Sequence, residues 1–379
     1  MIGKGAVLNI FKFPEVFKQP YQGVRNSKEI IGIQALRFFA ALLVVVDHYV
    51  IHYCELGGLP NSLLKFAYGL GHVGVCMFFA ISGFVMVITN SSKFNNLFNA
   101  LDFFIRRLIR IWPLYAIATI VFFVAKHQID DVYNFTNLLK SLAFIPYLGE
   151  GGLYRPILGK GWTLNYEMFF YCIFTLCLFF PKKIGLSITV FVLALLPIVC
   201  IFFGFKGIYV TFYSDDIILF FLVGVLVALA SNKFKGCPKY FESASQAVFV
   251  ASIFLFIAII VNQLQIARLV KDFTLTIIIF SALYAVCHYQ TRYRSVVTAA
   301  LIAVLGDSSY AIYLFHGFIF SPLKFLVLKN EYYFGNLVTL LILIFVAILF
   351  GAVIHLALEK PLQNHLLKVY REKLKLNLS

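Results

Sequence analysis

Long apolar blocks separated by short polar or basic breaks run through this chain from residue 31 to near its end. Crossing about 30 Å of hydrocarbon takes a helix of roughly 20 mostly apolar residues. Ten blocks approach that length: 31–52, 71–89, 104–125, 162–180, 184–203, 216–231, 246–264, 273–289, 299–326 and 336–358. Pro322 falls inside the ninth and is expected to kink or end it. The block at 136–149 is too short and too interrupted to span, and reads as interfacial or re-entrant. The pattern therefore predicts an all-α polytopic membrane bundle of about ten helices. It divides the chain into an N-terminal segment (1–30), one membrane domain (31–361) and a basic tail (362–379).

Composition agrees with this reading. Hydrophobic residues make up 61% of the chain and charged residues 13%, with mean hydropathy +0.89. A soluble domain is nearer 45–50% apolar and about 25% charged. The net charge of +15 would suit a nucleic-acid binder if the cations lay on one soluble surface. Instead most of the 32 Lys and Arg residues fall into alternate breaks, counted with the N-terminus inside. That asymmetry predicts two cytoplasmic termini and a multi-pass protein of the inner or plasma membrane, with no nucleic-acid partner. Residues 1–30 show no cleavable signal peptide, so the first span is expected to stay in the protein. The seven cysteines sit mostly in oily stretches, without a CxxC pair, and read as small apolar residues.

The candidate chemistry consists of polar groups where a membrane helix should have none. In LRFFAALLVVVDHYV (36–50), Arg37 and His48 are eleven residues apart. Eleven helical steps turn about 1100°, three turns plus about 20°, with a rise of roughly 16 Å, so the two share one face. With Arg37 near the inner surface, His48 lies near or beyond mid-bilayer. It either bonds a backbone carbonyl within the bundle or faces a functional cavity. Asp47, about 100° further round, is left out of that face. His52, on the same face as His48, has metal-pair spacing, but no completing ligands are evident and no metal is expected.

In FFIRRLIRIWPLY (103–115), Arg107 and Arg110 are a turn apart, and Arg106 pairs with Arg110 at the alternative spacing. They serve either as inside anchors or as a phosphate clamp, for which forked guanidinium groups are suited. In GHVGVCMFFAISGFVM (71–86), Gly71, Gly74 and Gly83, with Ser82, allow close helix contact or the approach of backbone to a ligand, and packing is the expectation. GKGWTLNYEMFFY (159–171) places Glu167 within a span, where a carboxylate is expensive unless paired or functional. With Trp162 and Asn165 it suggests the rim of a polar substrate site. SSYAIYLFHGF (308–318) lines up Ser309, Tyr313 and His316 on one face, as a hydrogen-bonding seam or as part of the His48 cavity.

Taken in order, these stretches resemble the integral-membrane acyltransferase family 3, whose members O-acylate cell-surface carbohydrates. The resemblance runs from about Ile31 to Pro361. It rests on Arg37 and His48, FFAISGF (78–84), Arg107 and Arg110, GWTLNYE with Trp162 and Glu167, the helix with His316, and Glu359-Lys360-Pro361. Many members have proline after the later histidine, whereas Gly317 stands here. The resemblance implies an acyl-CoA donor, usually acetyl-CoA, arriving from the cytoplasm, no tightly bound cofactor, and a hydroxyl acceptor on a surface or secreted glycan. Lipopolysaccharide O-antigen, capsule, exopolysaccharide and a lipid-linked sugar all qualify as acceptors. In that frame Arg107, Arg110 and Arg106 hold the donor phosphates and His48, with Arg37, is catalytic, as general base or acyl carrier. Trp162, Glu167, Tyr313 and His316 then serve the acceptor or the cavity. A proton-coupled transporter is the alternative that ten spans with buried Arg, His and Glu would also fit. It would normally show paired interrupted spans in corresponding halves.

Overall fold

The computed structural model describes residues 28–55, 59–128, 131–203, 207–233, 268–288, 296–329 and 337–376. Among these residues every regular element is helical. The helices are α1 (Lys28–Glu55), α2 (Leu64–Thr89), α3 (Leu97–Lys126), α4 (Phe135–Leu142), α5 (Trp162–Leu178), α6 (Lys182–Phe203) and α7 (Ile208–Tyr213). They continue as α8 (Leu219–Lys233), α9 (Arg268–His288), α10 (Val296–Asp307), α11 (Ser309–Lys329), α12 (Leu337–Ile354) and α13 (Lys360–Leu376).

Four described helices are long and apolar enough to cross a membrane, within Ile31–Glu55, Asn61–Thr89, Leu97–Lys126 and Leu337–Leu374. A fifth is gained if Thr298–Asp307 and Ser309–Phe320, which meet at 66°, are taken as one broken span. The expected single span at 299–326 is thus corrected to two helices. The bend falls at Ser308 rather than at Pro322, and α11 runs on to Lys329. The apolar pattern continues across the bend, so hydropathy alone does not register it. The block at 246–264 lies outside the described residues. α5 and α8 hold 17 and 15 residues, short for a bilayer crossing.

The surface is that of a protein bathed in lipid. α12 turns Leu337, Leu341, Ile342, Phe345, Leu349 and Val353 outward, each more than half exposed, while Leu340, Leu343, Ile344 and Ala347 face the bundle. In water such a stripe would be an adhesive patch; against acyl chains it costs nothing. Since lipid is as apolar as leucine, cohesion within the bundle comes from close packing and internal hydrogen bonds.

α2 is the central helix, packed between α1 and α8. Gly74 meets the Ala40 carbonyl of α1, and Gly83 and Gly224 meet the backbone of α8 and α2 in turn, at Phe221 and Ala80. The sequence expectation of glycine-mediated packing is met here. A Cβ at Gly83 would collide with the Phe221 carbonyl oxygen, a backbone atom that cannot swing aside. Gly83→Ala is therefore expected to destabilise the bundle by about 1–3 kcal/mol, the usual cost of overpacking. The thermal midpoint of the detergent-solubilised variant checks this.

Two further features position the site. After α4 the chain runs back along α3: the Trp112 indole donates to the Leu142 carbonyl (3.0 Å), and Phe144 stacks on Tyr115 at 5.1 Å. This segment, expected to be interfacial or re-entrant, delivers the turn Gly159–Gly161 and the start of α5 deep alongside α3. At the other end, a π-helical turn at His355–Glu359 joins α12 to α13. Such turns are frequent at functional sites.

Candidate active site

α1 carries Arg37 towards one end of the bundle and His48 towards the other, as the helical arithmetic requires. At the arginine end, Arg37 Nη1 donates to the Gln34 side-chain oxygen (3.3 Å), and Gln34 Nε2 donates to Asp307 (2.6 Å). Arg37 lies within electrostatic range of Arg110, Asp307, Glu359 and Glu167. Glu359, 4% exposed, takes a 2.7 Å bond from His355 and another from Gln363, whose amide also donates to the Arg110 carbonyl (3.0 Å). Carboxylates from three separate stretches thus surround the half-buried Arg37, whose charge lipid alone would not sustain.

Arg107 stands over the rings of Phe103 and Tyr171, at 5.6 and 5.7 Å. The Tyr171 hydroxyl donates a very short bond to Glu167, and Ser82 donates to the Tyr171 hydroxyl (3.3 Å). Glu167 and Tyr171 are one helical turn apart on α5, which is how one helix can present both groups inward. Arg106 is engaged elsewhere, in an ion pair with Asp102 (2.7 Å) and beside the Tyr370 ring.

These groups line two adjoining cavities. The larger, about 340 Å³, is bounded by Gln34, Arg37, Arg107 and Arg110 at the arginine end and by Ser82, Glu167, Tyr171 and Tyr310 along its wall. Phe78, Thr163 and Tyr313 bound it towards the histidines. The smaller, about 270 Å³, is lined by Asn90, Lys93, Arg106, Arg107, Arg110 and Gln363 among others. Both share Thr89, Arg107 and Arg110, so the two cavities meet at the arginines.

His48 and His316 lie beyond the Phe78–Tyr313 pair, whose rings are 5.8 Å apart. The two imidazoles meet edge to face at 5.0 Å. His48 Nδ1 donates to the Val44 carbonyl (2.8 Å), and His316 Nδ1 to the Ile312 carbonyl (3.1 Å). Each bond fixes the proton on Nδ1 and leaves Nε2 with its lone pair. His316 Nε2 is fully buried and has no partner among the described residues. His48 is part-exposed, with 35% of its side chain accessible. The backbone-carbonyl alternative thus holds for His48 Nδ1, while His48 and His316 line neither of the two described cavities.

The expected site residues do not all converge. Arg37, Arg107, Arg110, Glu167 and Tyr313 line the larger cavity, and Arg106 only the smaller. Trp162 lines neither; it stands edge-on to Tyr166 at 5.9 Å. His52 bonds Glu55 (3.0 Å) and stacks on Phe320. Asp47 turns its carboxylate towards α2, where Gly71 leaves it room, as its angular offset from His48 implies, and Oδ2 also lies 3.3 Å from His48 Nδ1. A step of 100° separates the two Cβ atoms, but the short acidic side chain reaches back to its neighbour's ring. Gln34, Lys93 and Tyr171 were not singled out as site residues from the sequence, and Ser82 was named only beside the glycines of 71–86. Only Tyr171 had a signal, its one-turn spacing from Glu167.

Among the described residues, an apolar helical bundle thus holds two arginine-lined cavities that meet at Arg107 and Arg110, with His48 and His316 close by. The chain matches the family 3 acyltransferase model, described as an acyltransferase domain, over residues 30–356, and it belongs to that family. It is 29% identical over 297 residues to the exopolysaccharide production protein ExoZ of Rhizobium meliloti (strain 1021), covering 77% of this chain and 90% of that protein. No solved structure matches it.

Proposed function

We propose that this protein is a multi-pass inner-membrane O-acyltransferase that moves an acyl group, acetyl in the simplest case, from cytoplasmic acyl-CoA to a hydroxyl of an exopolysaccharide. The observation that carries this reading is the pair of cavities meeting at Arg107 and Arg110, with His48 and His316 beyond the far end. Lys93, Arg106, Arg107 and Arg110 offer the donor phosphates charge-assisted bonds in the smaller cavity, which opens to the cytoplasm if both termini lie there. The pantetheine arm then follows the larger cavity past Glu167 and Tyr171. Its thioester reaches the histidines when Phe78 and Tyr313 part. The basic breaks along the sequence, which predict cytoplasmic termini, favour a donor entering from the cytoplasm. The similarity to ExoZ favours exopolysaccharide over lipopolysaccharide or capsule as the acceptor.

His48 is the general base in this mechanism. The acceptor hydroxyl attacks the thioester carbon and its proton passes to His48 Nε2. The intermediate collapses with cleavage of the C–S bond, and the thiolate recovers that proton as free CoA thiol. Asp47, beside Nδ1, steadies the ring and the positive charge it gains. Asp47→Asn keeps the volume against Gly71 but loses the charge. Its kcat is expected to fall roughly 2–5-fold, the weight of one part-exposed charge contact, with donor KM unchanged.

The reading is tested with purified protein in nanodiscs, acetyl-CoA and isolated exopolysaccharide. Release of CoA thiol that depends on the glycan supports it. Thiol release indifferent to glycan, or none at all, contradicts it.

A further inference from the structure

One charged group near the histidines has no place in the account so far. Lys160 sits in the tight turn Gly159–Gly161 that precedes α5. Gly161 is pressed against the Tyr115 ring, where a Cβ would stand only 2.7 Å from a ring carbon. The Lys160 carbonyl accepts from the Tyr313 hydroxyl (3.0 Å) and from Thr163 (3.3 Å), and those two hydroxyls bond each other (2.8 Å). The backbone of the turn is thereby tied to α11 one helical turn before His316. From this anchor the side chain crosses to Gly317, where a Cβ would collide with Nζ. Lys160 also lies within electrostatic range of both His48 and His316. Among the described residues no carboxylate forms an ion pair with it. A cation placed in a packed bundle without a counter-charge is costly and marks function.

We propose that the Lys160 ammonium, accommodated by the missing side chain at Gly317, is a further catalytic group that donates to the thioester oxygen as it becomes an oxyanion. This rests on the acyltransferase reading above. As the acceptor oxygen bonds to the carbonyl carbon, the C=O electron pair moves onto oxygen and His48 takes the hydroxyl proton. Lys160 stabilises that oxygen until the electron pair returns and expels the thiolate. Any Cβ at 317 would invade the space of the ammonium.

The test uses full-length protein in nanodiscs and compares wild type, Lys160→Met and Gly317→Ala for acetyl-CoA binding and glycan-dependent thiol release. Removing one oxyanion donor lowers kcat by about 10²–10³-fold. Lys160→Met should show that loss with acetyl-CoA affinity and KM unchanged. Gly317→Ala keeps the charge but displaces it, and should lose roughly 10-fold by the same criterion, about half of such a donor's effect. The proposal is overturned if both variants keep kcat within twofold of wild type. It is equally overturned if Lys160→Met raises only the acceptor KM, which would make the lysine a binding group. Should Lys160→Met fail to bind acetyl-CoA, Gly317→Ala decides alone. If wild type itself transfers nothing, the acyltransferase reading falls and this proposal with it, whereas active wild type with unaffected variants removes only the role of Lys160.

Discussion

His48→Ala loses acyl transfer by a factor of about 10³ or more in kcat while inserting and folding as wild type, near the upper range for a single general base. The structure supports both halves of that expectation. His48 sits in mid-helix with part of its side chain exposed, and its one bond to Val44 replaces no helical hydrogen bond. Truncation thus leaves no buried partner unsatisfied, because the Val44 carbonyl still accepts within the helix. The free Nε2 disappears, and no other described base of the site stands equally accessible. His48→Gln sharpens the test: an amide can still donate towards Val44 but cannot take a proton, so it should be as inactive as alanine. His316 offers a contrast. It is fully buried, and its removal leaves a cavity, so loss of activity there would come with a lowered thermal midpoint. Full activity in His48→Ala would end the general-base assignment.

Arg107→Ala is expected to raise the KM for acyl-CoA by roughly 10–100-fold with a smaller change in kcat, since a bond to a charged group is worth about 1.5–3 kcal/mol. Arg107 lies where the two cavities meet, and its guanidinium is held by the rings of Phe103 and Tyr171. It therefore reaches the donor already oriented. Lysine cannot fork between two phosphate oxygens, so Arg107→Lys should recover only part of the affinity despite equal charge. Arg106 is already neutralised by Asp102, and its loss should matter less than that of Arg107. Because the contact is electrostatic, wild-type KM should also rise with ionic strength. An unchanged donor KM in Arg107→Ala would remove the clamp.

Much of this site could be read from sequence because single-helix geometry governs it. Arg37 and His48 share a face through the fixed pitch of α1, and Arg107 and Arg110 through that of α3. The α-helical class followed from hydropathy alone. What escaped depends on contacts between distant segments. Lys160 gains meaning only when its turn is tied to Tyr313 on α11, and Lys93 only when α3 lies across it. Asp47 was set aside on angular grounds, and the reach of its side chain brought it back to His48. The bend at Ser308 was invisible because both halves are equally apolar, and a length criterion cannot tell a broken span from a straight one.

The central claim is that this protein places acyl groups on an extracellular polysaccharide, with His48 as the base. The most direct measurement is mass spectrometry of polysaccharide from a host lacking the gene, supplied with wild type or with His48→Ala at equal membrane abundance. The account predicts oligosaccharide repeats heavier by one acyl group with wild type and unmodified repeats with the variant. Identical polysaccharide from both would contradict it.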